Sequence, residues 1–129
     1  MSKVGLNPRN INIPSVIKEN QTITGAFADL GDEIAVSEYT KLGIYIDLDI
    51  NDSTGVIIQV LLRTETGGND YIHLTPSSYQ WTLDDADGYY KIPDFDLNNL
   101  VNYIQIQVIA TVPGASPGVI DKCEIVKAA

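Results

Sequence analysis

Between Lys41 and Ile50 apolar and polar side chains alternate without a break. Leu42, Ile44, Ile46, Leu48 and Ile50 fall in one phase, and Lys41, Gly43, Tyr45, Asp47 and Asp49 in the other. Successive side chains of a strand point to opposite faces, so this period of two predicts a strand with one buried face. Val56 to Thr64 repeats the pattern with Val56, Ile58, Val60 and Leu62 in phase, after the turn residues Asn51-Asp52-Ser53-Thr54-Gly55. The two segments are therefore expected to pair as a hairpin. The second face of the later strand, with Ile57, Gln59, Leu61 and Arg63, is more apolar than water requires, which points to cover from a neighbour or from the N-terminal arm.

The remaining strands are shorter. Gln21 to Phe27 is rich in β-formers, Asp29-Leu30-Gly31-Asp32 reads as a turn, and Glu33 to Val36 as a short strand. Tyr71 to Leu74 is a brief β segment, Thr75 to Gly88 the longest loop, and Tyr89 to Ile92 a strand stopped by Pro93. Tyr103 to Val112 alternates again, with Ile104, Ile106, Val108, Ala110 and Val112 in one phase and Gln105 and Gln107 suggesting a wetter face in the other, and Val119 to Lys127 closes the chain with Cys123 and Ile125 inward. No window carries helical spacing with caps. About eight strands at sandwich spacing predict an all-β fold, an antiparallel, jelly-roll-like β-sandwich over residues 20–129. Residues 1–19, broken by Pro8 and Pro14, show neither period and read as an extended arm. Its candidate partner-binding residues are Arg9, Ile11, Ile13, Val16 and Ile17, because a segment that cannot bury itself gains order by lying on another surface. A free tail is the alternative.

Composition narrows the class of partner. The chain has 129 residues, enough for one domain, and eight basic against seventeen acidic side chains give a net charge of −9. Such a surface repels phosphate backbones and anionic lipid, so neither nucleic acid nor a membrane is an expected partner. The longest apolar run, Val56 to Leu62, is far short of a membrane span, and the N-terminus lacks a secretory signal. Synthesis in the cytosol is the expectation. A single cysteine, Cys123, forms no internal disulfide and reads as a small buried hydrophobe.

Candidate chemistry is sparse. His73 is the only histidine, without a nucleophile elbow or a paired metal-binding histidine, and reads as structural. Asp47 and Asp49 share one strand face, where solvation or pairing with Arg63 is favoured over glycoside hydrolysis. Asp84-Asp85-Ala86-Asp87-Gly88 partly matches an acidic Ca²⁺ loop but lacks the closing bidentate Glu, so a solvated turn is favoured. No catalytic residue, metal ligand or cofactor is assigned. Tyr79, Trp81, Tyr89 and Tyr90 gather around the longest loop and form a candidate platform for stacking a sugar ring, or else cap the sandwich.

Thr22-Ile23-Thr24-Gly25-Ala26-Phe27-Ala28-Asp29-Leu30-Gly31 and Tyr39-Thr40-Lys41-Leu42-Gly43-Ile44-Tyr45 resemble small virion structural proteins of tailed bacteriophages. The strand Tyr103-Ile104-Gln105-Ile106-Gln107-Val108 and the ending Gly118 to Val126 fit the same pattern, so the resemblance spans about residues 20 to 127. It implies a jelly-roll or related sandwich that decorates a head or joins a tail assembly, without enzymatic activity. The implied partners are the capsid or another virion protein and further copies of the chain, as a trimer or dimer. The alternative is a carbohydrate- or receptor-binding module built on Trp81 and the nearby tyrosines.

Overall fold

The two long alternating segments are strands, but they do not pair with each other. In a computed structural model describing residues 13–74, 79–97 and 101–128, nine strands form two facing antiparallel sheets, and the described residues contain no helix. They are β1 (Ser15–Thr22), β2 (Ala28–Asp29), β3 (Ile34–Ala35), β4 (Lys41–Asp49), β5 (Thr54–Arg63), β6 (Gln80–Thr82), β7 (Gly88–Asp96), β8 (Tyr103–Val112) and β9 (Val119–Ala128). One sheet runs β1-β9-β4-β7. The other runs β2-β8-β5-β6, with β3 also on β8. Six of the eight connections between successive strands cross from one sheet to the other.

The expected hairpin of β4 and β5 is thus corrected. Both strands carry an unbroken apolar face, and each buries it against the other from opposite sheets, whereas a hairpin would have set them side by side. The turn at Asn51, which holds a left-handed φ of 46°, redirects the chain across the interior. Ile44, Ile46 and Leu48 from β4 meet Val56, Ile58 and Val60 from β5 in one core with Ile104, Ile106, Val108, Ile120, Cys123 and Ile125. Burying side chains of this kind contributes roughly 1.5–3 kcal/mol each.

Three other boundaries move. The first strand lies at Ser15–Thr22, earlier than Gln21 to Phe27, so residues 15–19 belong to the sandwich through antiparallel pairing with β9. Residues 1–12 lie outside the described residues. β7 continues through Pro93, because the strand is at a sheet edge and the ladder shifts register between Leu42 and Ile44 opposite it, so no bond to the missing N–H is required. Tyr71 makes only an isolated bridge to Leu62, while β6 forms inside the expected long loop.

Both open sides of the sandwich are stitched. At one, Gln21 Nε2 donates to the Asp29 backbone oxygen at 2.8 Å, and Gly31, at a φ of 79°, lies so close to β1 that a Cβ would stand 2.7 Å from the Ile17 oxygen. At the other, the Tyr79 hydroxyl reaches the Asp96 carbonyl. The acidic loop is tied to the β4–β5 connection: Asp87 Oδ1 accepts from Ile50 N at 2.8 Å and Asp85 Oδ1 from Gly55 N at 2.9 Å. These carboxylates cap the backbone of the β4–β5 turn.

Candidate functional site: the N-terminal strand and the aromatic residues

Strand β1 is an edge strand, and its bulge between Val16 and Lys18 divides its apolar side chains. Ile17 turns inward and packs on the core, while Ile13 and Val16 stay 56% and 51% exposed. Arg9 and Ile11 lie outside the described residues. Between β1 and β3 runs an open groove of about 330 Å³ whose lining includes Val16, Ile17, Glu33, Ile34 and Lys127. Of the five candidate partner-binding residues, the structure brings Val16 and Ile17 to this groove and leaves Ile13 beside it, at a neighbouring depression with Tyr39.

The four candidate aromatic residues do not share a surface. Tyr79 is buried, with its ring stacked on His73 at 4.3 Å between centroids, on Trp81 at 5.9 Å and tilted against Phe95 at 4.7 Å. It holds a left-handed φ of 51°, which aims the ring into the open side between β6 and β7. Burial, followed by the charge of Asp96, pushes the Tyr79 hydroxyl above its ordinary range. His73 and Trp81 are half-buried members of this stack, so these rings seal the sandwich.

Tyr89 and Tyr90 are adjacent in β7 and therefore face opposite ways. Tyr90 turns inward against the core and donates its hydroxyl to the Ala86 oxygen at 2.6 Å. Its pKa is raised by burial and by Asp84, Asp87 and Asp85. Tyr89 points outward and is 88% exposed. Beside it lies a shallow groove of about 220 Å³ lined by Tyr45, Asp47, Lys91, Lys122 and Glu124. Tyr45 comes from β4, opposite Lys91, and the sequence does not disclose it as a neighbour of Tyr89 because the β4–β7 pairing is long-range.

The single thiol is shut away from solvent. Cys123 is fully buried, and burial, with a smaller push from Glu124, raises it to about 12. Among the described residues no group of three or more His, Cys, Asp or Glu side chains is placed to hold a metal ion. Among the described residues one extensive ion network is present, centred on Glu33 and Arg63. Glu33 accepts from Arg63 Nη1 at 2.7 Å, Thr66 Oγ1 at 2.5 Å and Gly67 N at 2.9 Å, while Arg63 Nε donates to Asp70 at 2.6 Å. The hydrogen bonds from Thr66, Arg63 and Gly67 lower Glu33 to about 2.

No family model and no curated protein matches this chain. Among solved structures, the crystal structure of the SPBc2 prophage-derived protein YomS is similar at a TM-score of 0.50 and 17% identity, covering 92% of this chain and 97% of that one. The Tobacco streak virus coat protein dimer is similar at a TM-score of 0.41 and 14% identity, covering 96% of this chain and 90% of that one. At 17% identity the likeness to YomS speaks to the fold alone, and it spans nearly the whole of both chains.

Proposed function

We propose that this chain is a non-enzymatic structural component of a bacteriophage virion, a capsid decoration or cement subunit that holds the lattice through its N-terminal segment and the groove beside β1. The observation that carries the reading is the pair of exposed apolar side chains formed by Val16, on an edge strand that the ladder to β9 fixes in place, and Ile13, two residues before that strand begins. Apolar anchors on a rigid edge suit repeated docking, and weak contacts multiplied over a symmetric particle become strong by avidity. Support also comes from the fold shared with a protein described as prophage-derived. Among the described residues the interior is filled mainly by aliphatic side chains. Localisation in the virion follows from this reading.

The test is mass spectrometry of purified particles for this chain and its copy number, joined to binding of the isolated protein to particles lacking it. Deleting residues 1–12, or replacing Val16 with Asp, is expected to abolish attachment while the sandwich stays folded. A deletion through residue 19 is unsuitable, because it strips β1 from β9. Absence from particles, or undiminished attachment of both variants, rejects the reading.

A second reading, recognition of a glycan, is favoured by the exposed Tyr89 ring beside Tyr45, Lys91 and Glu124. A glycan panel titrated against the wild type and Tyr89→Ala decides it, with binding lost in the variant as the expected result.

A further inference from the structure

Three depressions lie end to end along the outward face of the four-stranded sheet. The first, about 180 Å³, is lined by residues that include Gly43, Asp94 and Val126. The second is the groove of about 220 Å³ beside Tyr89. The third, about 310 Å³, is lined by residues that include Asp49, Asp87, Gly88 and Asp121. Tyr45 and Lys91 border both the first and the second, and Asp47 and Tyr89 border both the second and the third. The three therefore make one continuous track with a tyrosine at each passage.

Strand register sets this order. Tyr45 of β4 stands between Glu124 and Lys91, and Asp47 stands between Lys122 and Tyr89. Gly43 to Asp49 spans about 20 Å at the ~3.4 Å rise of an antiparallel strand. Tyr45 and Tyr89 are diagonal neighbours on adjoining strands, which sets their Cβ atoms about 7 Å apart. Tyr89 is 88% exposed, and Tyr45 keeps 39% of its surface free with the Lys91 ammonium 5.7 Å from its ring centre.

The chemistry of the track selects its occupant. Charged side chains of both signs stand at its centre, Lys91 and Lys122 with Asp47 and Glu124, whereas the cores of protein interfaces are depleted in charge. Lys122 reaches Glu124 only at 3.6 Å, beyond hydrogen-bond distance, so its N–H groups are left to donate elsewhere. A pyranose offers an apolar C–H face to a tyrosine ring, and hydroxyls that donate to carboxylates and accept from ammonium groups. An anionic sugar chain is repelled at the third depression by Asp47, Asp49, Asp87 and Asp121. Resting on the glycan reading of the Tyr89 groove, we propose that this face binds a neutral, linear oligosaccharide along β4, with successive sugars in the three depressions and two of them stacked on Tyr45 and Tyr89.

Isothermal titration calorimetry of the full chain with cello-, malto- and chito-oligosaccharides of one to five units tests it. In the series that binds, affinity is expected to rise about tenfold from the single sugar to the trimer, the gain of a second stacked ring, and to level off once the track is filled. Tyr45→Ala, with native circular dichroism, is expected to return the trimer to the affinity of the single sugar and to leave the single sugar on Tyr89 unchanged. Tyr71→Ala removes an exposed ring beside β5 of the other sheet and is expected to bind as the wild type does. Oligogalacturonate of the same lengths is expected to bind about tenfold more weakly than the neutral chain. Single-sugar binding with no gain from length overturns the track and leaves the glycan reading standing, as does a gain that survives in folded Tyr45→Ala or equal binding of oligogalacturonate. Absence of binding by every series overturns the proposal, and a glycan panel empty as well removes the reading beneath it.

Discussion

The Tyr79 hydroxyl donates to the backbone oxygen of Asp96 at 2.9 Å, and this bond joins the residue before β6 in one sheet to the last residue of β7 in the other. The ring behind that hydroxyl fills the open side of the sandwich with His73, Trp81 and Phe95. Tyr79→Phe keeps the stack and removes the bond, and is expected to cost about 1 kcal/mol. Tyr79→Ala also empties the space between the sheets and is expected to cost ~3–5 kcal/mol, by analogy with other aromatic truncations. Urea unfolding of the two variants checks the order, and equal losses would contradict it.

Gln80 Nε2 donates to Gln59 Oε1, Gln59 Nε2 to Gln107 Oε1 and Gln107 Nε2 to Asp29 Oδ1, and this ladder across the five-stranded sheet makes a positional prediction about stability. Gln59→Leu leaves the Gln80 donor and the Gln107 acceptor without their partner, and Gln59 is itself buried, so a loss of ~1–3 kcal/mol is expected. Gln80→Leu, at the exposed end of the ladder, is expected to cost ~1 kcal/mol or less. Chemical denaturation of both single variants measures the difference.

Acid sensitivity is expected to centre on Glu33. Its pKa falls from 4.5 to about 2 on folding, so its stabilising contribution is complete above pH 4.5 and is lost as pH falls toward 2. Glu33→Gln is expected to lower Tm at pH 7 and to flatten the decline between pH 5 and pH 2. Thermal melting of both proteins across that range is the measurement, and parallel curves would exclude the network as the cause.

Asp121 acts with the opposite sign. Burial and the charges of Asp47, Asp49 and Asp87 raise its pKa, so its ionised form is less favourable in the folded chain than in the unfolded one. Asp121→Asn is expected to raise Tm at pH 7, with the gain shrinking as pH drops through the carboxylate range. Melting curves at pH 7 and pH 4 test both halves.

The buried thiol gives a probe of opening. With its pKa pushed up to about 12 and no exposed surface, Cys123 is expected to resist iodoacetamide in the native state and to react fully in urea. Mass spectrometry after timed alkylation reads the outcome. Rapid native labelling would contradict the position of β9 in the interior.

The period-two segments showed in the sequence which side chains are buried, because alternation depends on neighbours along the strand alone. Ile44, Ile46, Leu48, Val56, Ile58, Val60, Ile104, Ile106 and Val108 all lie in the core as their phase predicts. Pairing was not legible. A loop of turn residues between β4 and β5 fits a hairpin and a crossing equally well, and the choice is made by the burial of two apolar faces against each other. The aromatic residues misled for the same reason. Tyr89 and Tyr90 are neighbours in sequence, yet alternation sends them to opposite sides, and Tyr45, the companion of Tyr89, is 44 positions away. Two glutamines in one phase of β8 suggested a wet face, while the ladder that dries it requires Gln59, Gln80 and Asp29 from three other strands.

The last strand lies between the first and the fourth, and bonds to both. Until it emerges from the ribosome, β1 and β4 have no common neighbour, and the backbone edge that each would offer to it stays unpaired. Closing such distant segments is slow, because the chain must surrender its freedom before any contact rewards it. Stalled or prematurely terminated translation products lacking Val119 to Ala128 therefore present sticky, unpaired ribbons to the cell, and quality control falls on the final ten codons of the strand.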